Sequence, residues 1–400
     1  MAVIPTANSI GTKIVKAGKS KVPKPKPEKK VSVAAPNATR DITKNGSKSS
    51  KYFNFESKIH KMIDLRSDTL TKPCSEMIKA MANSAVGDDV FGEDPTVNEL
   101  ETFAADYFGK EAALFCTSGT QTNQIAINIH VKPGGEVICH EESHIYKYEG
   151  GGIARNSGAS VRLLRGDRGR ITAEEIQKYL NPIHDVHFPL TQLISIEDTA
   201  NRGGGAVYDF NEILKIKEVC LANQLPLHLD GARIMNALAV NDMQAKVYCA
   251  PFDSISVCLS KGLGAPVGSL LLGSAEFIYK ARRVRKVFGG GMRQAGFIAA
   301  GGLFALKYNV DRLIHDHSHA KLLEVGLKKT TWVASIMPVE TNIVVIKLLE
   351  SDKRDHIINE FAKKGIKVMA FGPGLIRMVT HLQITKEDIE VVCLKALSIN

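Results

Sequence analysis

Lys261 closes the apolar run Ser256-Val-Cys-Leu-Ser-Lys261 and is followed at once by Gly262-Leu-Gly264. A lysine carried by a strand into a dry site has its ammonium destabilised, which makes the neutral amine needed for a Schiff base accessible. The glycines leave room for a bulky group beside it. Thirty-one residues earlier, Leu227-His-Leu-Asp230 ends a second apolar run in a carboxylate. At the end of a strand in an α/β sheet such an acid points into the ligand crevice. A third run, Phe115-Cys-Thr, passes through Ser118-Gly119-Thr120 into a helical segment from Gln121 to Val131. Free N–H groups at a helix start, with hydroxyls beside them, make a cradle for phosphate.

Each segment has a plainer reading on its own. Lys261 could be a surface lysine at a strand end, Asp230 the N-cap of the segment Ala232 to Val240, and Ser118 ordinary capping chemistry. The set is more specific than its parts, because phosphate turn, acid and lysine follow one another at the ends of apolar runs. That combination suits pyridoxal phosphate (PLP): an amine to bind it, a carboxylate for its pyridinium nitrogen and a seat for its phosphate.

These residues need a sheet whose strand ends converge. Short apolar runs at Ala112 to Cys116, Val137 to Cys139, Val161 to Leu164, Leu193 to Ile196, Leu227 to Leu229, Ile255 to Leu259 and Ser269 to Leu272 alternate with helical patterns. This rhythm predicts a mainly parallel sheet with helices on its faces. Asp94-Pro95 predicts a helix that ends at Gly109, while Thr172 with Glu175 and Asp209 with Glu212 have capping-box spacing. From about residue 311 the pattern changes to a long helix, a strand at Ile343 to Leu348, a helix ending near Gly365 and a strand at Leu375 to Val379. The domains expected are a basic tail over 1–61, a large PLP-binding domain over 62–310 and a smaller α+β domain over 311–400.

The formal charge of +10 does not mark a nucleic-acid-binding body. Residues 1–61 carry 13 Lys and one Arg against three acids, a formal +11, which leaves about −1 for the other 339 residues. Rich in Lys, Pro, Ser and Asn, that segment is expected to be disordered. It is acid-poor like a transit peptide but lacks an Arg-rich amphipathic pattern, so a cytoplasmic location is expected and mitochondrial import stays open. No apolar run is long enough to span a membrane. The seven cysteines form no CxxC pair or zinc spacing, which indicates a reducing compartment and no metal site. His315, His317 and His319 are expected to form a polar helix face rather than bind metal.

Several longer motifs sharpen this reading: Met62-Ile-Asp-Leu-Arg-Ser-Asp-Thr69, Val86-Gly-Asp-Asp-Val-Phe-Gly92 with Asp94-Pro-Thr-Val97, His228-Leu-Asp-Gly-Ala-Arg-Ile234, Cys258-Leu-Ser-Lys-Gly-Leu-Gly264 and Gly289-Gly-Gly-Met-Arg-Gln294. From residue 62 to about 382 the chain resembles the low-specificity L-threonine aldolases, which are fold-type I PLP-dependent enzymes. The resemblance implies an α/β, transferase-like fold with a small C-terminal α+β domain. It also implies cleavage of threonine, allo-threonine and related β-hydroxy amino acids to glycine and an aldehyde. By the same resemblance Lys261 would carry PLP, Asp230 would hold the pyridinium, Ser118, Gly119 and Thr120 would bind phosphate, and His144 would stack on the ring. His187 would stand near the substrate hydroxyl. Ser67, Arg233 and Arg377 would hold the substrate carboxylate, and Lys286 and Arg293 would approach the cofactor at a subunit interface of a homo-oligomer, a dimer of dimers. His144, His187 or a water could take the hydroxyl proton. A β-eliminating lyase or aminotransferase of the same fold is the alternative.

Overall fold

The structure, a computed structural model, describes residues 62–399. The basic segment expected to be disordered lies outside the described residues. The strands run in chain order as β1 (Ile63–Asp64), β2 (Ala112–Cys116), β3 (Glu136–His140), β4 (Ser160–Leu164), β5 (Thr191–Glu197), β6 (Leu227–Gly231), β7 (Ser254–Cys258) and β8 (Ser269–Gly273). β2 to β8 form one sheet in the order β2-β8-β7-β6-β5-β3-β4. Neighbours from β7 to β4 are parallel, while β8 runs antiparallel to both β7 and β2. Every residue of β3, β6, β7 and β8 is buried. Strands covered on both faces have no polar side to alternate with, which is why they read as short unbroken apolar runs.

The helix Pro95–Phe108 begins where expected, with Asp94 Oδ1 accepting from the N–H groups of Thr96 and Val97 at 3.1 Å each. It stops at Gly109, whose φ of 65° lies in the left-handed region. Thr172 and Glu175 close a reciprocal capping box. Asp209 and Glu212 do not. Asp209 caps Asn211 N, but Glu212 Oε1 accepts from Ala173 N at 2.8 Å and so ties two helix starts together.

The C-terminal strands are β9 (Val333–Ile336), β10 (Ile343–Leu348), β11 (Ile366–Lys367), β12 (Met369–Gly372) and β13 (Leu375–Val379). Four of them form an antiparallel sheet in the order β12-β13-β10-β9. β11 pairs instead with β1, in parallel, Ile63 opposite Ile366. Ile63 and Leu65 therefore pack with Leu323, Trp332, Ile346 and Phe361, in a cluster separate from the core around Leu100, Phe108, Leu229 and Leu259. This crossing brings the segment after β1 against β13. Of the three histidines expected on a polar helix face, His317 is a correction: it is buried, with Nε2 2.9 Å from Asn236 Oδ1. Among the described residues no helix is long and apolar enough to cross a membrane.

Candidate active site

The carboxyl ends of β5, β6 and β7 lie side by side, with Glu197 opposite Asp230 and Asp230 opposite Ser256. This is the edge of a parallel sheet at which ligands bind. Lys261 follows β7 in a turn closed by the Gly264 N–H donating to its carbonyl at 2.9 Å. Gly264 takes a φ of +80°, which a side chain would strain. Thr71 Oγ1 donates to the same carbonyl at 2.8 Å. Gly231, Arg233, Val257, Cys258 and Lys261 line one cleft between the ends of β6 and β7.

Asp230 is 2% exposed. Its Oδ1 accepts weakly from Ala232 N at 3.3 Å, but the next helix, Ile234–Asn241, has Arg233 at its cap position. The acid is thus not consumed as a helix cap. Asn123 Nδ2 donates to Asp230 Oδ2 at 3.0 Å and to Glu149 Oε1 at 2.9 Å. Glu149 Oε2 takes Gln124 Nε2 at 2.7 Å, and its Oε1 lies 2.9 Å from His144 Nδ1. His144 opens a short helix, its backbone N–H donating to Glu197 at 2.9 Å. Burial opposes protonation of His144, but Glu149, Asp230 and Glu197 together raise it above the usual imidazole range. Burial and the neighbouring Asp230 push Glu197 up as well.

Ser118, Gly119 and Thr120 start the helix Gly119–His130, with Ser118 Oγ accepting from Gln121 N at 3.2 Å. The N–H groups of the first helical residues have no partner within the helix. A Cβ on Gly119 would stand 2.6 Å from Cys258 Sγ, so only glycine lets the helix start press against the end of β7.

Arg377, carried by β13 and 5% exposed, donates from Nη1 to Asn201 Oδ1 at 2.6 Å and from Nη2 to the Arg66 carbonyl at 3.0 Å. Among the described residues its buried Nε has no hydrogen-bond partner. Burial and the nearby Arg233 cation pull Arg377 down to about 10. Ser67, next to Arg66, caps the turn Asp68–Leu70. Arg233, expected to hold the substrate carboxylate, gives two of its guanidinium nitrogens to Asp68: Nε and Nη2 each donate at 2.7 Å. Among the described residues Nη1 has no hydrogen-bond partner, and Arg233 lines the cleft.

Among the described residues, no hydrogen bond joins His187, Lys286 or Arg293 to this constellation. His187 lies four residues before the start of β5, at the amino edge of the sheet, while Glu197 ends that strand at the carboxyl edge. Six strand steps separate the edges by roughly 20 Å. The His187 side chain is 85% exposed and its Nδ1 is 2.7 Å from Asp185. Arg293 donates to Asp88 at 2.8 Å and lies over the Phe91 ring, and Lys286 is exposed near the end of its helix.

With this geometry in view, residues 64–351 match the model of the family described as Beta-eliminating lyase. The chain is 39% identical over 332 residues to the low specificity L-threonine aldolase of Escherichia coli K12, across 83% of this chain and 97% of that protein. The chain belongs to the β-eliminating lyase family. A second relative, the low specificity L-threonine aldolase of Saccharomyces cerevisiae, is 40% identical over 82% of this chain and 84% of its own length. The solved Leishmania major threonine aldolase superposes with a TM-score of 0.74 over 84% of this chain and all of that one, at 20% identity, a likeness of fold.

Sequence reasoning about this lyase missed Asn123, Glu149 and Asp68. Asn123 and Glu149 look like ordinary polar residues of a helix and a turn. Asp68 stands inside the Arg66-Ser-Asp-Thr69 motif, where an acid between polar neighbours gives no sign of burial.

Proposed function

We propose that the chain cleaves L-threonine, L-allo-threonine and related β-hydroxy amino acids to glycine and an aldehyde, with pyridoxal phosphate as cofactor. The observation that carries this is the placing of the buried Asp230 carboxylate at the end of β6 and of Lys261 just beyond the end of the adjacent β7. The residues fit the cofactor. A buried carboxylate held by one amide suits a pyridinium N–H, the first turn at Ser118, Gly119 and Thr120 suits a phosphate, and Lys261 would bind the carbon of the aldehyde group. His144 would lie on the ring face.

When bound, the cofactor supplies a ring that takes up the electron pair of the Cα–Cβ bond. Arg377 and Ser67, with Nη1 of Arg233, would hold the substrate carboxylate so that this bond stands perpendicular to the ring. The β-hydroxyl proton leaves to a base, the oxygen forms the aldehyde carbonyl, and Cα regains a proton as glycine. His144 is raised by Glu149 and so holds a proton nearer neutrality, which suits it to donate as well as to accept. His187, Lys286 and Arg293 would serve a neighbouring copy in a homo-oligomer, a dimer of dimers, since their own chain leaves them exposed. The unpaired state of all seven cysteines supports a reducing, cytoplasmic compartment. The division into a PLP-binding domain over 62–310 and a smaller one over 311–400 is supported by the seven-stranded and four-stranded sheets, with β1 the exception, since it pairs with β11 and packs in the C-terminal cluster.

The test is product analysis of the purified protein with L-threonine and PLP. Glycine and acetaldehyde in equal amounts are expected, and Lys261→Ala should abolish both turnover and the borohydride-sensitive visible band. Ammonia with a keto acid as the product would overturn the aldolase reading in favour of elimination.

A further inference from the structure

Behind Asp230 a line of buried polar side chains runs away from the cleft. Asn123 is 1% exposed, and His228 and Ser254 are fully buried. Such groups are tolerated when every donor finds an acceptor. Here the assignment is forced. Asn123 turns its nitrogen to two carboxylate oxygens, Asp230 Oδ2 at 3.0 Å and Glu149 Oε1 at 2.9 Å, and both amide hydrogens are used. A flipped amide would set oxygen against oxygen.

Asn123 Oδ1 therefore faces His228 Nε2, 3.1 Å away, as an acceptor, and Nε2 carries the hydrogen. His228 Nδ1, left as an acceptor, takes the Ser254 hydroxyl at 2.8 Å. Ser254 Oγ in turn accepts from His130 Nε2 at 2.9 Å. Burial pushes His228 down to about 3 and His130 to about 4, so both rings are neutral near pH 7 and the line has one polarity. His130 is seated flat on Phe277, ring centroids 4.9 Å apart and planes 15° from parallel. Every hydrogen in the line points toward Asp230, and hydrogen bonds aligned this way strengthen one another.

We propose that His130, Ser254, His228 and Asn123 form a hydrogen-bonded line of fixed direction that orients the Asp230 carboxylate onto the cofactor's ring nitrogen, so that Asn123 and His228 are positioning residues for the reaction. The proposal rests on the PLP reading of the site. At metal sites, residues that orient a ligating side chain typically change affinity or activity 10–100-fold when lost, and Asn123 and His228 stand in the same relation to Asp230.

The experiment titrates PLP into the apoprotein by fluorescence and records the ¹⁵N shift of the ring nitrogen of bound, labelled PLP. His228→Leu, which removes the donor to Asn123, is expected to raise the Kd about tenfold or more and to move the resonance toward that of an unprotonated ring. His228→Gln, whose Nε2 can still donate to Asn123, is expected to keep both near wild type at an equal apoprotein melting temperature. A folded His228→Leu protein with wild-type Kd and shift overturns the proposal. If His228→Leu does not fold, Ser254→Ala decides: it removes the hydroxyl bonded to His228 Nδ1 and cuts the line in its middle, and an unchanged resonance overturns the proposal while a shift in the same direction supports it. Wild-type apoprotein that takes up no PLP would sink the cofactor reading itself, and the proposal with it.

Discussion

Arg233 closes Nε and Nη2 on the two oxygens of Asp68, 2.7 Å each, with both side chains buried. The pair joins the segment after β1 to the end of β6. Ser67 immediately precedes Asp68, and Arg377 lies close enough for its charge to act on the Asp68 carboxylate. Burial works against ionisation of Asp68, but Arg233, with Lys261 and Arg377 further off, holds its carboxyl well below the usual carboxylate range.

Asp68→Asn should therefore destabilise the protein strongly, since breaking a buried pair typically costs about 3–5 kcal/mol. The sign of the pH effect follows from the lowered folded-state pKa. The contribution of Asp68 is complete above the unfolded carboxylate value near 3.8 and is lost as pH falls below it. Urea unfolding at pH 7 and at acid pH checks this. The difference between wild type and variant should shrink on acidification, and equal stability at pH 7 would contradict it.

Arg377→Ala should reduce kcat/KM for threonine by about 2–5 kcal/mol, because a charge-assisted contact to the substrate carboxylate is lost in a desolvated site. A variant with unchanged kcat/KM would remove Arg377 from the site.

Gly119→Ala places a Cβ 2.6 Å from Cys258 Sγ. Overpacking of this kind costs about 1–3 kcal/mol, relieved here by moving the helix start away from β7. PLP affinity should drop, and Cys258→Ala in the same chain should recover part of it. Additive effects of the two substitutions, measured as a double-mutant cycle, would show that the contact does not couple them.

His187 gives the sharpest test of a shared site. Its position at the amino edge of the sheet puts it remote from the Asp230 edge of its own chain. Mixed oligomers of Lys261→Ala and His187→Ala chains should regain activity that neither variant has alone, because some sites then combine an intact lysine with a neighbour's intact histidine. No recovery after verified subunit exchange would return His187 to a surface role.

Lys261, Asp230 and the Ser118-Gly119-Thr120 turn were legible in the sequence because each is a local event. An apolar run marks a strand buried on both faces, and the residue at its end is what the sheet offers to the crevice. The strands expected at Ala112 to Cys116, Ile343 to Leu348 and Leu375 to Val379 recur with those limits for the same reason. Tertiary structure alone decided what those end residues face. Asp68 meets Arg233 across 165 residues, and Asn123 reaches Asp230 across 107. Neither partner alters its own stretch of sequence, because a buried polar residue satisfied by a distant one has the same local pattern as a solvated one. Which edge of the sheet His187 occupies was settled likewise, by the direction of β5 among its parallel neighbours, a property that strand pairing fixes and composition does not carry.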